Sequence, residues 1–277
     1  IIPEKSSYCD DIPDEHVVLP ADPRKQRMPL ERLHQHIKNG MGWAGDEDQR
    51  AARTMRAACR WLEGRYGNCT PFFLAVDTFD PHEPWDAPRY YVDAYDRDYD
   101  GDRLVDPAYE PAEYATESEI RFMRCLYAAK LTMVDRWIGY LLAGIERLGL
   151  RDDTVIFFTS DHGFYHGEHG LIGKVLLDRE DVICGRWPLY ATITHAPLLI
   201  RLPGMTVGKQ YSAFCQPADL MPTVLEVFDR PIPQGVQGSS LLPLLRGESA
   251  ASRGFAITSA TYVQDKQVRS PTSFRTE

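Results

Sequence analysis

The sequence predicts an α/β fold, with a largely parallel mixed sheet flanked by helices. Three observations carry this. Short apolar runs of strand length recur at 71–78, 154–160 and 196–204. A long amphipathic segment separates the first two, and a further helical pattern follows the third. The runs "PFFLAVDT" and "TVIFFTS" are nearly all apolar, which suits strands covered on both faces in a parallel sheet.

Residues 1–45 are rich in Pro, Asp and Arg and carry little periodicity. They are expected to be irregular, with room for one short strand in "DEHVVLPAD". Residues 46–65 read as a helix. Acidic residues fill its first turn, and Met55, Ala58, Cys59 and Leu62 form one face. Gly64 and Gly67 end it. After the run at 71–78 comes "FDPHEPWDAPRYYVDAYDRDYDG", a long loop marked by Pro, Gly, Tyr and Asp. Loops of this length in compact domains are often functional. Trp85, Tyr90 and Tyr91 could shape a pocket wall or pack the loop down, and packing is the expectation.

Residues 118–148 give the strongest helix pattern. Ile120, Met123, Tyr127, Leu131, Val134, Ile138, Leu141, Ile145 and Leu148 recur at spacings of three and four. Ser118 can cap its start, and Gly149 stands where a helix-ending glycine belongs. Residues 217–229 read as a helix entered through Asp219 or Pro222. The expected organisation is an irregular segment at 1–45, a core at 46–247 and the start of a truncated C-terminal region at 248–277.

The chain has 277 residues, 43% of them hydrophobic, enough to bury a sizeable core. Its net charge is −9 and it has no Lys/Arg run, so nucleic acid is not the expected partner. No apolar stretch approaches the roughly 18 residues that span a bilayer. Six scattered cysteines without a C-x-x-C pair read as mostly free thiols. Asn68-Cys69-Thr70 fits a glycosylation triplet, a pattern that chance supplies often.

The chemistry concentrates in "FTSDHGFYHGEHG" at 158–170. Asp161 and His162 follow an apolar strand and precede Gly163. Ligands of open α/β sheets bind beyond the carboxyl ends of strands, and Asp77 and Asp161 both lie at such ends. Two readings fit Asp161 and His162. They could supply oxygen and nitrogen to a metal, which needs further ligands besides. Alternatively, Asp161 could simply cap backbone N–H groups in a turn. A helical H-x-x-x-H zinc site at His162 and His166 is disfavoured, because Gly163, Gly167 and Gly170 make a helix improbable. His166, Glu168 and His169 then read as structural or supporting residues. Lys174 ends "GEHGLIGK" and could meet an anion or be a solvated surface residue. His82, in "DPHEPW", could serve acid–base chemistry near neutral pH or be a hydrogen-bonded loop residue. His16, His34 and His36 read as surface residues. Asp10-Asp11 is not assigned to a metal, since no apolar strand precedes it.

In series these segments resemble the sulfatase family of the alkaline phosphatase superfamily. "PFFLAVDTFDPHEPWDAPRYY" looks like the family's strand and its P-H-x-P loop. "YAAKLTMVDRWIGYLLAGIERLGLRDDTVIFFTSDHG" looks like its long helix and the strand bearing metal ligands. "GEHGLIGK" looks like the segment with the sulfate-binding lysine, and "HAPLLIRLPG" and "DLMPTVLEVFDRPIPQGVQGSSLLPLLRG" like the later strand and helix. The likeness runs from about residue 70 to 247. It implies an alkaline-phosphatase-like fold, here incomplete. It implies that Asp161 and His162 bind a divalent metal (Ca or Mg, with Mn or Zn possible for an imidazole ligand). Lys174 would contact the sulfate or phosphate group, and His82 would bind that group or serve the leaving oxygen.

The substrate class implied is a small-molecule sulfate or phosphate ester. The family nucleophile is a cysteine or serine in C/S-x-P/A-x-R, converted to formylglycine. No cysteine fits: Cys69-Thr70-Pro71 comes closest, but Phe73 stands where Arg is needed. The family's N-terminal Asp-Asp pair is absent as well. The expectation is therefore a fragment of a sulfuric ester hydrolase, inactive alone, whose formylglycine lies in an N-terminal part not included here. The alternatives are a phosphonate monoester or phosphodiester hydrolase, or a non-catalytic domain of the same fold.

Overall fold

The computed structural model describes residues 12–178, 180–249, 253–259 and 272–276. The chain divides into two compact units. The first holds residues up to Asp152 together with Phe164–Gly185; the second holds Asp153–Gly163 and residues from Arg186 onward.

In chain order the first unit opens with helices α1 (Leu30–Met41), α2 (Arg50–Glu63), α3 (Arg89–Val92) and α4 (Glu117–Arg147). Strand β1 (Ile156–Thr159) belongs to the second unit. The chain then returns to the first for two small antiparallel hairpins: β2 (Tyr165–His166) with β3 (Ile172–Gly173), and β4 (Leu176–Leu177) with β5 (Ile183–Gly185). The rest of the second unit contains α5 (Ala191–Thr194), β6 (Leu198–Arg201), α6 (Leu220–Val227), α7 (Leu242–Leu245), β7 (Phe255–Ser259) and β8 (Thr272–Thr276). Here β1 pairs with β6, and β7 with β8, both antiparallel.

The core of the first unit forms where α2 and α4 pack together. The expected face of α2 is buried in full: Met55, Ala58, Cys59 and Leu62. On α4, Thr116 rather than Ser118 is the cap. Its hydroxyl accepts from the Glu119 N–H and the Glu119 carboxylate returns to the Thr116 N–H, a capping box. Gly149 closes the helix with φ 72°. The buried stripe of α4 runs through Phe122, Met123, Leu126, Ala129, Lys130, Met133, Val134 and Trp137, while Leu131 is exposed. A helix apolar on more than one stripe can turn either inward; here the bulk of Phe122 and Trp137 decides. Trp85, Tyr91, Val92 and Leu104 of the long loop enter the same core, so Trp85 and Tyr91 do pack the loop down, whereas Tyr90 is exposed.

Several expectations are corrected. Residues 71–78 are extended with alternating exposure but form no strand, because none of the described strands supplies ladder bonds to them. The parallel sheet is likewise not seen: all four described pairs are antiparallel ribbons. In a two-stranded ribbon each strand has one neighbour, so β1 is less covered than its composition predicts; Phe158 is 40% exposed and its register partner Leu199 60%. Within the stretch expected to be irregular, residues 30–41 form α1, and "DEHVVLPAD" makes a 3-10 turn at Asp14–His16 instead of a strand. At 217–229 a 3-10 turn precedes α6. Gln216 caps that turn in a capping box, with Asp219 Oδ2 accepting from the Gln216 N–H, while Asp219 Oδ1 accepts from the Ser239 N–H. Cys59, Cys69, Cys125, Cys184 and Cys215 are free thiols, as predicted. Cys9 and Asp10-Asp11 lie outside the described residues. Among those residues no helix is long and apolar enough to cross a membrane.

Candidate active site

The loop from Phe79 to Asp86 carries His82, and buried charges fix it from below. Lys130 of α4 is 2% exposed. Its Nζ lies 3.2 Å from Asp80 Oδ1, 2.5 Å from Asp86 Oδ1 and 2.8 Å from Gln49 Oε1, so one ammonium ties both ends of the loop. Asp80 also accepts the Ala51 N–H at the start of α2 (2.8 Å), and Asp86 meets His36 Nε2 at 2.8 Å. His36, expected at the surface, is thus a partly buried hydrogen-bond partner of Asp86. Burial alone would raise the Asp86 carboxyl, but Lys130 and His36 hold it well below the usual range. Within the loop the His82 N–H reaches Phe79 O (2.9 Å) and the Trp85 indole N–H reaches Pro81 O (3.0 Å). The Asp80–Pro81 and Glu83–Pro84 peptides are cis.

His82 keeps 29% of its side chain exposed and stacks on Phe79, with ring centroids 4.2 Å apart. Its Nδ1 is directed at Glu83, 2.8 Å from the backbone oxygen and 3.2 Å from Oε2. Glu83 is buried. Its other carboxylate oxygen accepts from the Tyr109 hydroxyl, and Arg27 lies 3.8 Å away while also pairing with buried Asp106 at 3.0 Å. Burial chiefly, then the Glu83 charge, raises the Tyr109 phenol, which remains the donor. Burial raises the Asp106 carboxyl against the pull of Arg27. His82 itself is lowered, first by burial; Glu83 opposes this and Lys174 adds to it.

Lys174 lies in the same compact unit as His82, and the hairpins fasten its segment there. Backbone bonds from Ile172 N–H to Glu110 O and from Leu177 N–H to Tyr109 O, each 3.2 Å, fasten the segment to the residues beside Glu83. Gly173 has φ 101°, and a Cβ there would run into the Tyr109 ring. Glycine thus lets the chain bearing Lys174 press against the ring whose hydroxyl holds Glu83. His166, in β2, is buried among Trp85, Tyr127 and Phe164, with ring centroids 5.1, 4.3 and 4.8 Å away. Burial lowers it to about 4, and its Nε2 has no partner among the described residues. It packs as a neutral aromatic.

In the second unit Asp161 and His162 follow β1. The turn reading of Asp161 is seen directly. One carboxylate oxygen accepts the His162 N–H (2.8 Å), a turn cap. The other lies 3.2 Å from His162 Nε2, and the Asp161 side chain is 81% exposed. His162 Nδ1 lies 2.8 Å from Gly163 O. With its proton on Nδ1, directed at the Gly163 carbonyl, the ring would turn an Nε2 lone pair to the side of Asp161 Oδ2, the arrangement in which histidine ligates metals. Donor set and orientation therefore fit a divalent ion. Two donors do not complete its coordination, and among the described residues no cluster of three or more His, Cys, Asp or Glu does so. Gly163 is required where it stands: its N–H donates to Ile193 O (2.9 Å), and a Cβ would collide with the Thr192 carbonyl. No helix joins His162 to His166, in agreement with the rejection of the zinc motif. Asp77 is exposed on the extended segment.

Sequence reading missed the buried Lys130, Asp80, Asp86 and His36 group and the Arg27, Glu83, Asp106 and Tyr109 group. A lysine between Ala129 and the apolar positions of α4 was the available signal for the first. The second joins residues too distant in sequence to leave one.

The "Multifunctional alkaline phosphatase superfamily protein PehA" of Trinickia caryophylli is 32% identical over 217 residues, which is 68% of this chain and 40% of PehA. Arylsulfatase K of Bos taurus is 34% identical over 128 residues, 46% of this chain and 22% of that protein. Among solved structures, the phosphonate monoester hydrolase SpPMH from Silicibacter pomeroyi matches with a TM-score of 0.64 and 26% identity, over 90% of this chain and half of that one. The chain spans well under half the length of the curated relatives it matches. Its fold is that of the alkaline phosphatase superfamily, met here as helices with small antiparallel ribbons. The Sulfatase family model matches residues 25–230, a span containing the His82 loop, the Asp161–His162 turn and Lys174, and the chain belongs to that family.

Proposed function

We propose that this chain supplies the substrate-binding and acid–base part, and two metal ligands, of a metal-dependent sulfuric ester hydrolase. The observation that carries the reading is the placement of His82 and Lys174 in one unit, held by Tyr109 and the hairpins around it. The Lys174 ammonium is a compact charge suited to a sulfate oxygen. With Nδ1 committed to Glu83, His82 offers Nε2 outward, where an imidazolium donates its proton to the departing alcohol oxygen. Asp161 Oδ2 and His162 Nε2 would hold the metal ion. Bound there, it would supply Lewis-acid stabilisation of a substrate oxygen. The nucleophile, formylglycine in this family, comes from residues other than these 277, and this chain alone is expected not to turn over.

The test is the rate of the full-length protein on 4-nitrophenyl sulfate and on a phenyl phosphonate monoester. The reading expects the larger kcat/KM for the sulfate. A second reading, phosphonate monoester hydrolysis, is favoured by the nitrogen ligand His162 and by the likeness to SpPMH. A faster phosphonate reaction would establish it in place of the first. Turnover of the sulfate at full rate by the 277-residue chain alone would refute the division of labour.

A further inference from the structure

We propose that Glu83 is a positioning residue for His82: its buried carboxylate, clamped by Tyr109 and Arg27, fixes the imidazole with Nδ1–H inward and Nε2 facing the leaving group. This rests on the reading of His82 as the acid in ester hydrolysis.

The geometry has two parts. Nδ1 has both the Glu83 backbone oxygen at 2.8 Å and Oε2 at 3.2 Å, and both atoms are acceptors. A proton on Nδ1 is therefore held in either charge state of the ring, and only Nε2 exchanges its proton with the reaction. The carboxylate in turn cannot swing away. Its other oxygen is bound by the Tyr109 hydroxyl, Arg27 stands 3.8 Å off, and the side chain is 1% exposed. Tyr109 is itself immobilised by the Gly173 backbone against its ring. Glu83 thus acts through His82 and touches no substrate.

The proton balance is simple. As the oxygen of the nucleophile forms its bond to sulfur, the S–O bond to the alcohol breaks, its electron pair stays with the alcohol oxygen, and Nε2–H of the imidazolium passes its proton to that oxygen. The ring becomes neutral, keeps its Nδ1 proton, and Glu83 remains ionised throughout. The charged groups facing the ring are Glu83 from its own loop, Lys174 from the hairpin segment and Arg27 from the residues before α1. Of these, Glu83 alone favours the imidazolium.

The experiment uses full-length protein carrying Glu83→Gln, an isosteric change that keeps an acceptor for Tyr109 but removes the charge. Histidine C2-hydrogen exchange followed by mass spectrometry gives the titration midpoint of His82 without reference to turnover. It is expected to fall by about 1 pH unit, the size of effect a facing carboxylate exerts. In parallel, kcat is compared for an alkyl sulfate, whose leaving group needs a proton, and for 4-nitrophenyl sulfate, whose leaving group does not. The loss is expected to exceed about 10-fold for the alkyl ester and to stay within about 3-fold for the nitrophenyl ester. Glu83→Asp, which keeps the charge but withdraws it by one methylene, is expected to show the same changes at smaller size, and it replaces Glu83→Gln if that variant does not fold. An unchanged His82 midpoint, or equal losses on the two esters, would overturn the assignment. If the midpoint falls but the wild-type protein hydrolyses neither ester, the coupling of Glu83 to His82 stands and the hydrolase reading fails.

Discussion

Replacing Lys130 by Met should destabilise the fold by about 3 kcal/mol, and the value follows from what its ammonium leaves behind. Lys130 is buried, with Asp80 Oδ1 at 3.2 Å, Asp86 Oδ1 at 2.5 Å and Gln49 Oε1 at 2.8 Å. Removing one member of a buried ion pair typically costs about 3–5 kcal/mol, because the partner's charge remains desolvated. The lower end applies here. Asp80 keeps the Ala51 N–H, Asp86 keeps His36, and methionine fills most of the vacated volume. The pH dependence has a definite sign. Asp86 is held below its unfolded value of about 3.9, so its contribution is complete above that pH and declines as pH falls through the folded value. Lys130→Met takes away its closest cation, so the gap between wild type and variant should be widest near neutral pH and shrink below about pH 4. Urea unfolding at pH 7 and pH 3, followed by far-ultraviolet circular dichroism, measures both. A variant within about 0.5 kcal/mol of wild type at pH 7 would behave as an ordinary surface substitution and would refute a buried, paired Lys130.

His166→Phe should abolish a pH dependence of stability. With His166 lowered to about 4, the unfolded chain binds a proton below about pH 6.5 that the folded chain refuses, so wild type loses up to about 3 kcal/mol as pH falls from 6.5 to 4, and the variant does not; equal slopes in urea titrations at pH 7.5 and 5 would contradict this. Gly163→Ala should lower stability by about 1–3 kcal/mol, since its methyl group meets the Thr192 carbonyl, and a thermal midpoint unchanged from wild type would count against that contact. Lys174→Met in the full-length protein should reduce kcat/KM on 4-nitrophenyl sulfate by about 10–100-fold through loss of a charge-assisted contact to the ester, and an unaltered value would remove Lys174 from the site.

The sequence is most legible where one element answers to one pattern. The buried face of α2 and the Gly149 stop of α4 follow from helical spacing and glycine chemistry alone. On α4 the pattern holds in part: Met123 and Val134 are buried and Ile120, Tyr127, Ile138 and Leu141 pack on the core, but packing also buries Phe122 and Trp137 and leaves Leu131 exposed. The pattern fails at 71–78, because apolar composition describes what would cover a strand and says nothing about which neighbour bonds to it. The candidate residues Asp161, His162, Lys174 and His82 were proposed from sequence because glycines or prolines stand near them. Their foundations were not. Lys130 is 44 positions from Asp86 in the chain, and Glu83 is 26 from Tyr109, so each pairing exists only once the chain is folded.

Those foundations bear on how His82 could work at neutral pH. Burial disfavours its charged form, and Lys174 does so too, while Glu83 pulls the other way. The three influences differ in what alters them. Burial and Glu83 are fixed by the fold, since Glu83 is pinned by Tyr109 and Arg27. The effect of Lys174 depends on what stands beside its ammonium. An anionic ester group at Lys174 would neutralise the one charged contribution that changes with occupancy, and the attraction of Glu83 would then act less opposed. In the proposed hydrolase, proton loading of His82 would in this way be tied to the arrival of the anion whose leaving group needs the proton. A carboxylate near the proposed anion site, which by simple repulsion should weaken binding, would be tolerable because it is buried and shared with Tyr109 and Arg27.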